Sequence, residues 1–246
     1  MFDLFRARPI EEPSVLDENG SSNRNSTIAG RMSISSMSLV LQPNRSSSKR
    51  WRVSQTAPWE SVEFAALRAY RDAGWKGDAS EGRVILNVIK LAAFPKAPAD
   101  IGSTYAESFF KTWDPHPWVK QIPPAELVGN VRSATARRIR SNYRRVECDQ
   151  MHSFWPHQTL ENYLGVFNAL GPERLQAIAK AFATDSYTYR SGWPDLTLWS
   201  KGQILLREIK APGDRINANQ KRTFADILQP LGLDLAVIDI RASTDA

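Results

Sequence analysis

The sequence predicts an α/β protein: a mixed central sheet flanked by helices, with a helical N-terminal part. Three observations carry that expectation. Leu196 and Leu198 alternate within Asp195–Trp199, Ile204–Lys210 is a second short apolar run, and Ser200-Lys201-Gly202-Gln203 reads as the turn of an antiparallel hairpin between them. A further strand signal at Leu235–Ile240 follows a helix signal over Asn219–Leu228. Upstream, Leu175, Ile178, Ala179 and Phe182 recur at i, i+3, i+4 and i+7, the spacing of a helix that lays one apolar face on a sheet.

Taken in order, the 246 residues divide into a tail over 1–50, a helical region over 51–130, and a core with preceding basic helices over 131–246. Glu18 to Arg50 is rich in Ser, Asn and Arg and poor in aromatics. Such a segment buries too little apolar surface to offset its conformational entropy. Residues 1–50 are therefore expected as disordered or linker chain, with Leu4-Phe5 and Ser38-Leu39-Val40-Leu41 as short docking pieces. A helix is expected over Trp59–Ala73, ended by Gly74. A second runs through Val84, Ile85, Val88, Ile89, Leu91 and Ala92, with Ser80 as N-cap and Glu81 in the first turn, where the helix dipole favours a carboxylate. Residues 94–130 are rich in proline and aromatics; a short helix is expected at Thr104–Thr112, with Trp113 and Trp118 as packing residues or as base-stacking platforms. Ala125–Val146 reads as one helix dense in arginine. Leu160–Asn168 and Pro172–Asp185 read as two more, the latter opening on Gly171-Pro172.

Composition narrows the function. Lys and Arg number 32 against 26 Asp and Glu, a net charge of +6, which favours a polyanionic partner. Arg137, Arg138 and Arg144 on the basic helix, and Arg215 downstream, carry forked donors matched to nucleic-acid phosphates; a solvated charged face is the alternative. Cys148 is the single cysteine, so neither an intrachain disulfide nor a cysteine-built zinc site is available. His116, His152 and His157 lack metal-motif spacing. No apolar run approaches the roughly 20 residues that span a bilayer, and the N-terminus lacks a signal-peptide core. A protein in the cytoplasm, associated with nucleic acid or exported without such a signal is expected, with no membrane partner.

The chemistry is concentrated in Gly192-Trp193-Pro194-Asp195-Leu196 and Arg207-Glu208-Ile209-Lys210. Period-2 alternation puts Glu208 and Lys210 on one face of their strand and Ile209 on the other. Asp195, at the mouth of the partner strand, approaches that face. Two carboxylates are hard oxygen ligands for Mg²⁺ or Mn²⁺, with the Ile209 carbonyl as an extra ligand. A lysine beside them orients an attacking water and offsets phosphate charge. A surface Glu–Lys pair is the bland alternative, but charges inside an otherwise apolar strand are costly without a role.

These two stretches, with Ala211-Pro212-Gly213-Asp214-Arg215-Ile216 and Gln220, resemble the VRR-NUC domain of the PD-(D/E)XK nucleases, and in particular the Fanconi-anaemia-associated nuclease family. Gly74-Trp75-Lys76-Gly77 and Ser80-Glu81-Gly82 resemble that family's segment with its first catalytic glutamate, and Gly171 to Asp185 its helix before the Pro-Asp strand. The likeness covers about residues 74–240. It implies a divalent-metal DNA nuclease with Glu81, Asp195 and Glu208 as metal ligands, Lys210 as the catalytic lysine, and Gln220 supporting the site or contacting substrate. Larger members carry separate DNA-binding and helical-repeat regions ahead of the nuclease, for which this chain has no room. The expected function is DNA phosphodiester hydrolysis of a structure-selective repair or mobile-element type. The same residues fit a secreted antibacterial DNase toxin held by an immunity protein. A catalytically silent DNA-binding or adaptor module is the reading from another class, and an intact Asp195, Glu208 and Lys210 set speaks against it.

Overall fold

Among the described residues seven strands form one mixed sheet: β1 (Leu16–Asp17), β2 (Ser35–Asn44), β3 (Ser47–Arg52), β4 (Lys76–Ala79), β5 (Leu196–Ser200), β6 (Gln203–Lys210) and β7 (Asp234–Ala242). The helices are α1 (Val62–Asp72), α2 (Arg83–Ala93), α3 (Pro124–Arg132), α4 (Ala136–Val146), α5 (Leu160–Thr184) and α6 (Ala218–Thr223). The computed structural model describes residues 12–13, 16–17, 32–44, 46–93, 124–146, 157–185 and 188–243. The expectations at Leu4-Phe5, Thr104–Thr112, Trp113, Trp118, His116 and His152 lie outside them.

The strand order is β1-β2-β7-β6-β5-β4, with β3 paired to β2. β7 lies parallel to both β2 and β6, while β5 is antiparallel to β6 and to β4. Alternation along the strands builds two cores. Leu39, Leu196, Leu198, Ile209 and Ile238 face Ala65, Ala66, Leu67 and Tyr70 of α1. Trp199, Ile204, Leu206 and Val237 face the other helices, where Val84, Ile85 and Ile89 of α2 meet Tyr163, Val166 and Ile178 of α5. The mixed sheet between helices is thus the one the sequence predicts, and the hairpin falls at β5–β6. Among the described residues no helix is long and apolar enough to cross a membrane.

Three local differences have physical causes, and one expected break is confirmed. Residues 35–50, expected as disordered or linker chain with Ser38–Leu41 as a docking piece, contribute β2 and most of β3. Leu39 and Leu41 are 0% and 1% exposed, and their alternation is diluted by the Ser-rich flanks when composition is averaged. The partner that buries them, β7, lies about two hundred residues away in sequence. The N-terminal part therefore opens on strands before its first helix. Residues 76–79, for which no element was expected, form β4: Gly77 lets the strand press onto its neighbours, since a Cβ there would meet the Leu198 side chain at 2.5 Å. Ala125–Val146 is two helices rather than one. It breaks at Ser133-Ala134-Thr135, where the Thr135 hydroxyl accepts the Arg138 N–H and starts α4. Leu160–Thr184 is interrupted at Gly171 (φ 73°, ψ 163°), and Pro172 opens its second half as expected.

The strand character of residues 35–44 has a direct test. Leu39→Ala should cost about 2–5 kcal/mol of stability as a core truncation. Val40→Ala, at a position 41% exposed, should stay within about 0.5 kcal/mol. Urea unfolding of the two variants separates them; equal small losses would make this segment a tail.

Candidate active site

The site forms where β5 begins and β6 ends. The ladder between them stops at Leu196 opposite Arg207. One step further, the Asp195 carboxylate takes the place of a strand partner: Oδ2 accepts the Ile209 N–H at 2.8 Å. Asp195 is therefore held by the same backbone that carries Glu208 and Lys210. Glu208 is fully buried, and Lys210 is 7% exposed. Glu208 Oε1 receives Lys210 Nζ at 2.6 Å and Gln220 Nε2 at 2.5 Å. Glu208 Oε2 is buried and has no hydrogen-bond donor among the described residues.

Gln220 is placed by its own helix end. Asn217 caps α6: its side chain accepts the Gln220 N–H, and Gln220 Oε1 accepts the Asn217 N–H, each at 2.9 Å. This reciprocal cap contributes on the order of 1 kcal/mol to the helix. It also aims the amide, because with Oε1 shared between Asn217 and Lys210 (3.3 Å), the NH₂ group is left for Glu208. α6 approaches because residue 192 is glycine at φ 84°: a Cβ there would lie 2.4 Å from the Asn219 carbonyl. Trp193, 1% exposed, donates its indole N–H to the Tyr189 carbonyl at 2.7 Å and roofs Gly82, where a Cβ would strike the ring.

Burial dominates the electrostatics. It pushes the Asp195 carboxyl up to about 6; the nearby Glu63 carboxylate adds to the shift, while the Ile209 N–H and Lys210 oppose it. Glu208 is raised well above the usual glutamate range, first by burial and then by repulsion from Asp195, against the pull of Lys210.

The other expected residues lie as follows. Glu81 is in a turn between β4 and α2, not in the first turn of the helix. Its φ is 51°, a left-handed conformation that costs a non-glycine residue on the order of 1 kcal/mol. The Glu81 N–H reaches the Asp195 carbonyl at 3.3 Å, and its side chain is exposed. The turn and the Pro-Asp stretch are thus joined through their backbones, more than a hundred residues apart. Arg137 and Arg144 are exposed and, with Arg140, lie on one stripe of α4, opposite the inward Ile139 and Tyr143. Arg138 differs: its guanidinium donates to the Asn130 carbonyl at 2.8 Å and to Ser133 Oγ at 3.2 Å, tying down the end of α3. Arg215 is exposed in the loop after β6, and His157 meets Phe64 edge-on, ring centroids 5.5 Å apart.

Sequence reading missed Glu63, Asp78, Gln158 and Arg207. Glu63 stands in the first turn of α1, whose N-terminal end shares the β4 C-terminal end of the sheet. Arg207 is fully buried on the opposite face of β6, held by Glu12 and, at 2.8 Å, by Asp234; Glu12 also accepts the Tyr70 hydroxyl at 2.8 Å. Burial alone would lower the Arg207 pKa; the surrounding Tyr70, Glu12 and Asp234 groups raise it above its ordinary value. Its position beside Glu-x-Lys in an apolar strand was the available signal.

A mixed sheet carrying Pro-Asp at the mouth of one strand and Glu-x-Lys on its antiparallel neighbour defines the PD-(D/E)XK class. Within that class, residues 130–242 match the VRR-NUC domain. The chain is similar to Fanconi-associated nuclease 1 homologues. It is 24% identical over 197 residues to the one from Oryza sativa subsp. japonica, covering 73% of this chain and 20% of that protein. To the Schizosaccharomyces pombe homologue it is 26% identical over 194 residues, covering 70% and 26%. To the Caenorhabditis briggsae homologue it is 27% identical over 129 residues, covering 50% and 14%. The chain therefore spans roughly a quarter or less of these relatives. Its fold is that of paFAN1 bound to 1nt 5′ flap DNA with gap, at TM-score 0.58 and 20% identity, over 77% of this chain and 36% of that one. The complex with 2nt 5′ flap DNA gives 0.54 and 20%, over 85% and 38%.

The Asp195 shift sets a pH dependence. Its folded pKa stands above the unfolded value near 4, so the folded chain keeps a proton that the unfolded chain releases between about 4 and 6. Stability in EDTA should fall as pH rises through that window, and Asp195→Asn should flatten the fall. Melting curves from pH 4 to 8 read it; identical slopes for the two proteins would contradict the assignment.

Proposed function

We propose that the protein is a divalent-metal-dependent nuclease that hydrolyses DNA phosphodiester bonds, with selectivity for branched or flapped structures. One observation carries the reading: a fully buried carboxylate, a half-buried one and a buried lysine meet at the sheet end, with Glu208 Oε2 left without a donor among the described residues. A buried carboxylate oxygen with no donor, beside a second carboxylate, suits a hard cation, whose charge would favour the ionised forms that burial disfavours in both groups. Asp195, Glu208 and the Ile209 carbonyl would hold Mg²⁺ or Mn²⁺, with Glu81 supplied from its turn. Among the described residues no group of three or more His, Cys, Asp or Glu closes around one point. Such a cation supplies, when bound, Lewis-acid stabilisation of charge on the phosphate and a more acidic water.

The chain's own groups do the rest. Lys210 Nζ, anchored on Glu208, presents a positive charge to the scissile phosphate and orients the attacking water. Gln220 keeps Glu208 in one rotamer, so the carboxylate does not follow the lysine when substrate enters. The Arg137, Arg140 and Arg144 stripe and Arg215 would bind backbone phosphates, a sequence-independent contact. The paFAN1 complexes with 5′ flap DNA support the choice of substrate.

Purified protein should nick or degrade plasmid, 5′-flap and branched DNA with Mg²⁺ or Mn²⁺ and not with EDTA. Asp195→Ala and Lys210→Ala should each lower the rate by about 100-fold or more. Equal activity of wild type and Asp195→Ala in every condition would sink the reading. For DNA binding, Arg137→Ala, Arg140→Ala and Arg144→Ala should each reduce the slope of log K against log salt by about 1. An unchanged slope would remove the stripe from the interface.

A further inference from the structure

The turn that carries Glu81 is held on two sides. One is the Asp195 carbonyl. The other is a buried polar cluster built from three separate parts of the chain, and Gln158 is its centre. Gln158 is 2% exposed and sits just before α5. Its amide nitrogen donates to Ser80 Oγ at 2.9 Å and to Asp78 Oδ1 at 3.3 Å. Its carbonyl oxygen accepts the Asn87 amide and the Tyr163 hydroxyl, each at 2.9 Å. Both donors and both acceptor positions of the side chain are used. Ser80 Oγ in turn donates to Asp78 Oδ1. Asp78 lies opposite Thr197, and Thr197 opposite Leu206, so Asp78 shares the sheet face of Glu208.

This cluster exceeds what packing asks. Asp78, 4% exposed, is a carboxyl removed from water, and burial raises its pKa while Ser80 and Gln158 oppose that rise. Apolar side chains of similar size would fill the space without that penalty. What the cluster supplies is a direction. It fixes residues 78 and 80 on either side of Ala79, immediately before the strained Glu81, and Gly82 beyond is wedged under Trp193.

We infer that Gln158 is a positioning residue: it braces the Ser80-Glu81-Gly82 turn from the segment just before α5, so that the Glu81 carboxylate is presented to the cation held by Asp195 and Glu208. The inference rests on the proposed nuclease function and deepens it. Gln158 acts through Glu81, and Asp78 supplies the acceptor that sets which end of the Gln158 amide faces the turn. Groups that orient a ligand in this way typically change metal affinity or activity by about 10- to 100-fold.

The test uses the full chain and Mn²⁺ alone. Gln158→Met should weaken Mn²⁺ binding by titration calorimetry, and raise the Mn²⁺ needed for half-maximal plasmid cleavage, by about 10- to 100-fold, with KM for DNA unchanged. Glu81→Ala should show a similar loss, and the double variant no further loss, because one effect runs through the other. Gln158→Glu sets a carboxylate against Asp78 and should also weaken binding. Adding Asp78→Asn returns a donor to the pair and should restore it. If Gln158→Met does not fold, this isosteric pair decides. Losses that multiply in the double variant, or normal Mn²⁺ binding by Gln158→Glu, would overturn the inference while leaving an active wild type. A wild type that neither binds Mn²⁺ nor cleaves DNA would overturn the functional reading itself, and this inference with it.

Discussion

The burial of the Glu208 carboxyl is the constraint the rest of the structure answers. A carboxylate taken wholly out of water costs several kcal/mol unless partners replace its hydration. One of its oxygens is answered twice, by Lys210 and Gln220; the other is not answered by the described chain. Around that imbalance the neighbouring elements acquire their reasons. The reciprocal cap at Asn217 fixes the Gln220 amide, and a glycine at 192 brings α6 close enough to deliver it. Asp195, held on the Ile209 N–H, adds a second carboxyl beside the first instead of a cation. Packing alone would favour the opposite choice, so the arrangement is one that chemistry selects.

Adjacent residues of β6 divide the labour between the two faces of the sheet. Glu208 and Lys210 point toward the α2–α5 layer, while Arg207 points toward the α1 layer. Arg207 donates to Glu12, to Asp234 and to the Leu206 and Asp234 carbonyls. It thereby ties the Glu12–Pro13 piece and the start of β7 to the strand that carries the site. A guanidinium with forked, planar donors suits such a junction better than an ammonium. The strand is thus tied down on one face and carries Glu208 and Lys210 on the other.

The catalytic pattern was legible because it is local. Period-2 alternation is enough to put Glu208 and Lys210 together, a tight turn is enough to bring Asp195 near them, and Gln220 follows within one loop and one helix end. The N-terminal strand was not legible because its signal is carried by three residues, Leu39, Val40 and Leu41, among serines, and its parallel partner is remote. Arg138 shows the opposite failure. Composition counts it with its neighbours as a phosphate contact, whereas the break between α3 and α4 turns it into a tie for a helix end.

By itself, the sequence determined the hairpin, the two carboxylates and lysine on it, the break at Gly171 and the resemblance that follows from them, since each depends on residues a few positions apart and on fixed backbone periods. Only the tertiary structure decided which distant groups complete the site. Glu81 reaches Asp195 through backbone contact, Glu63 enters from α1, and Asp78, Ser80, Asn87, Gln158 and Tyr163 meet around one buried amide. Those meetings depend on the order of strands in the sheet and on which helix covers which face. Loop closure across eighty or a hundred residues leaves no periodic trace in the chain, so the contacts exist only once the sheet has brought its ends together.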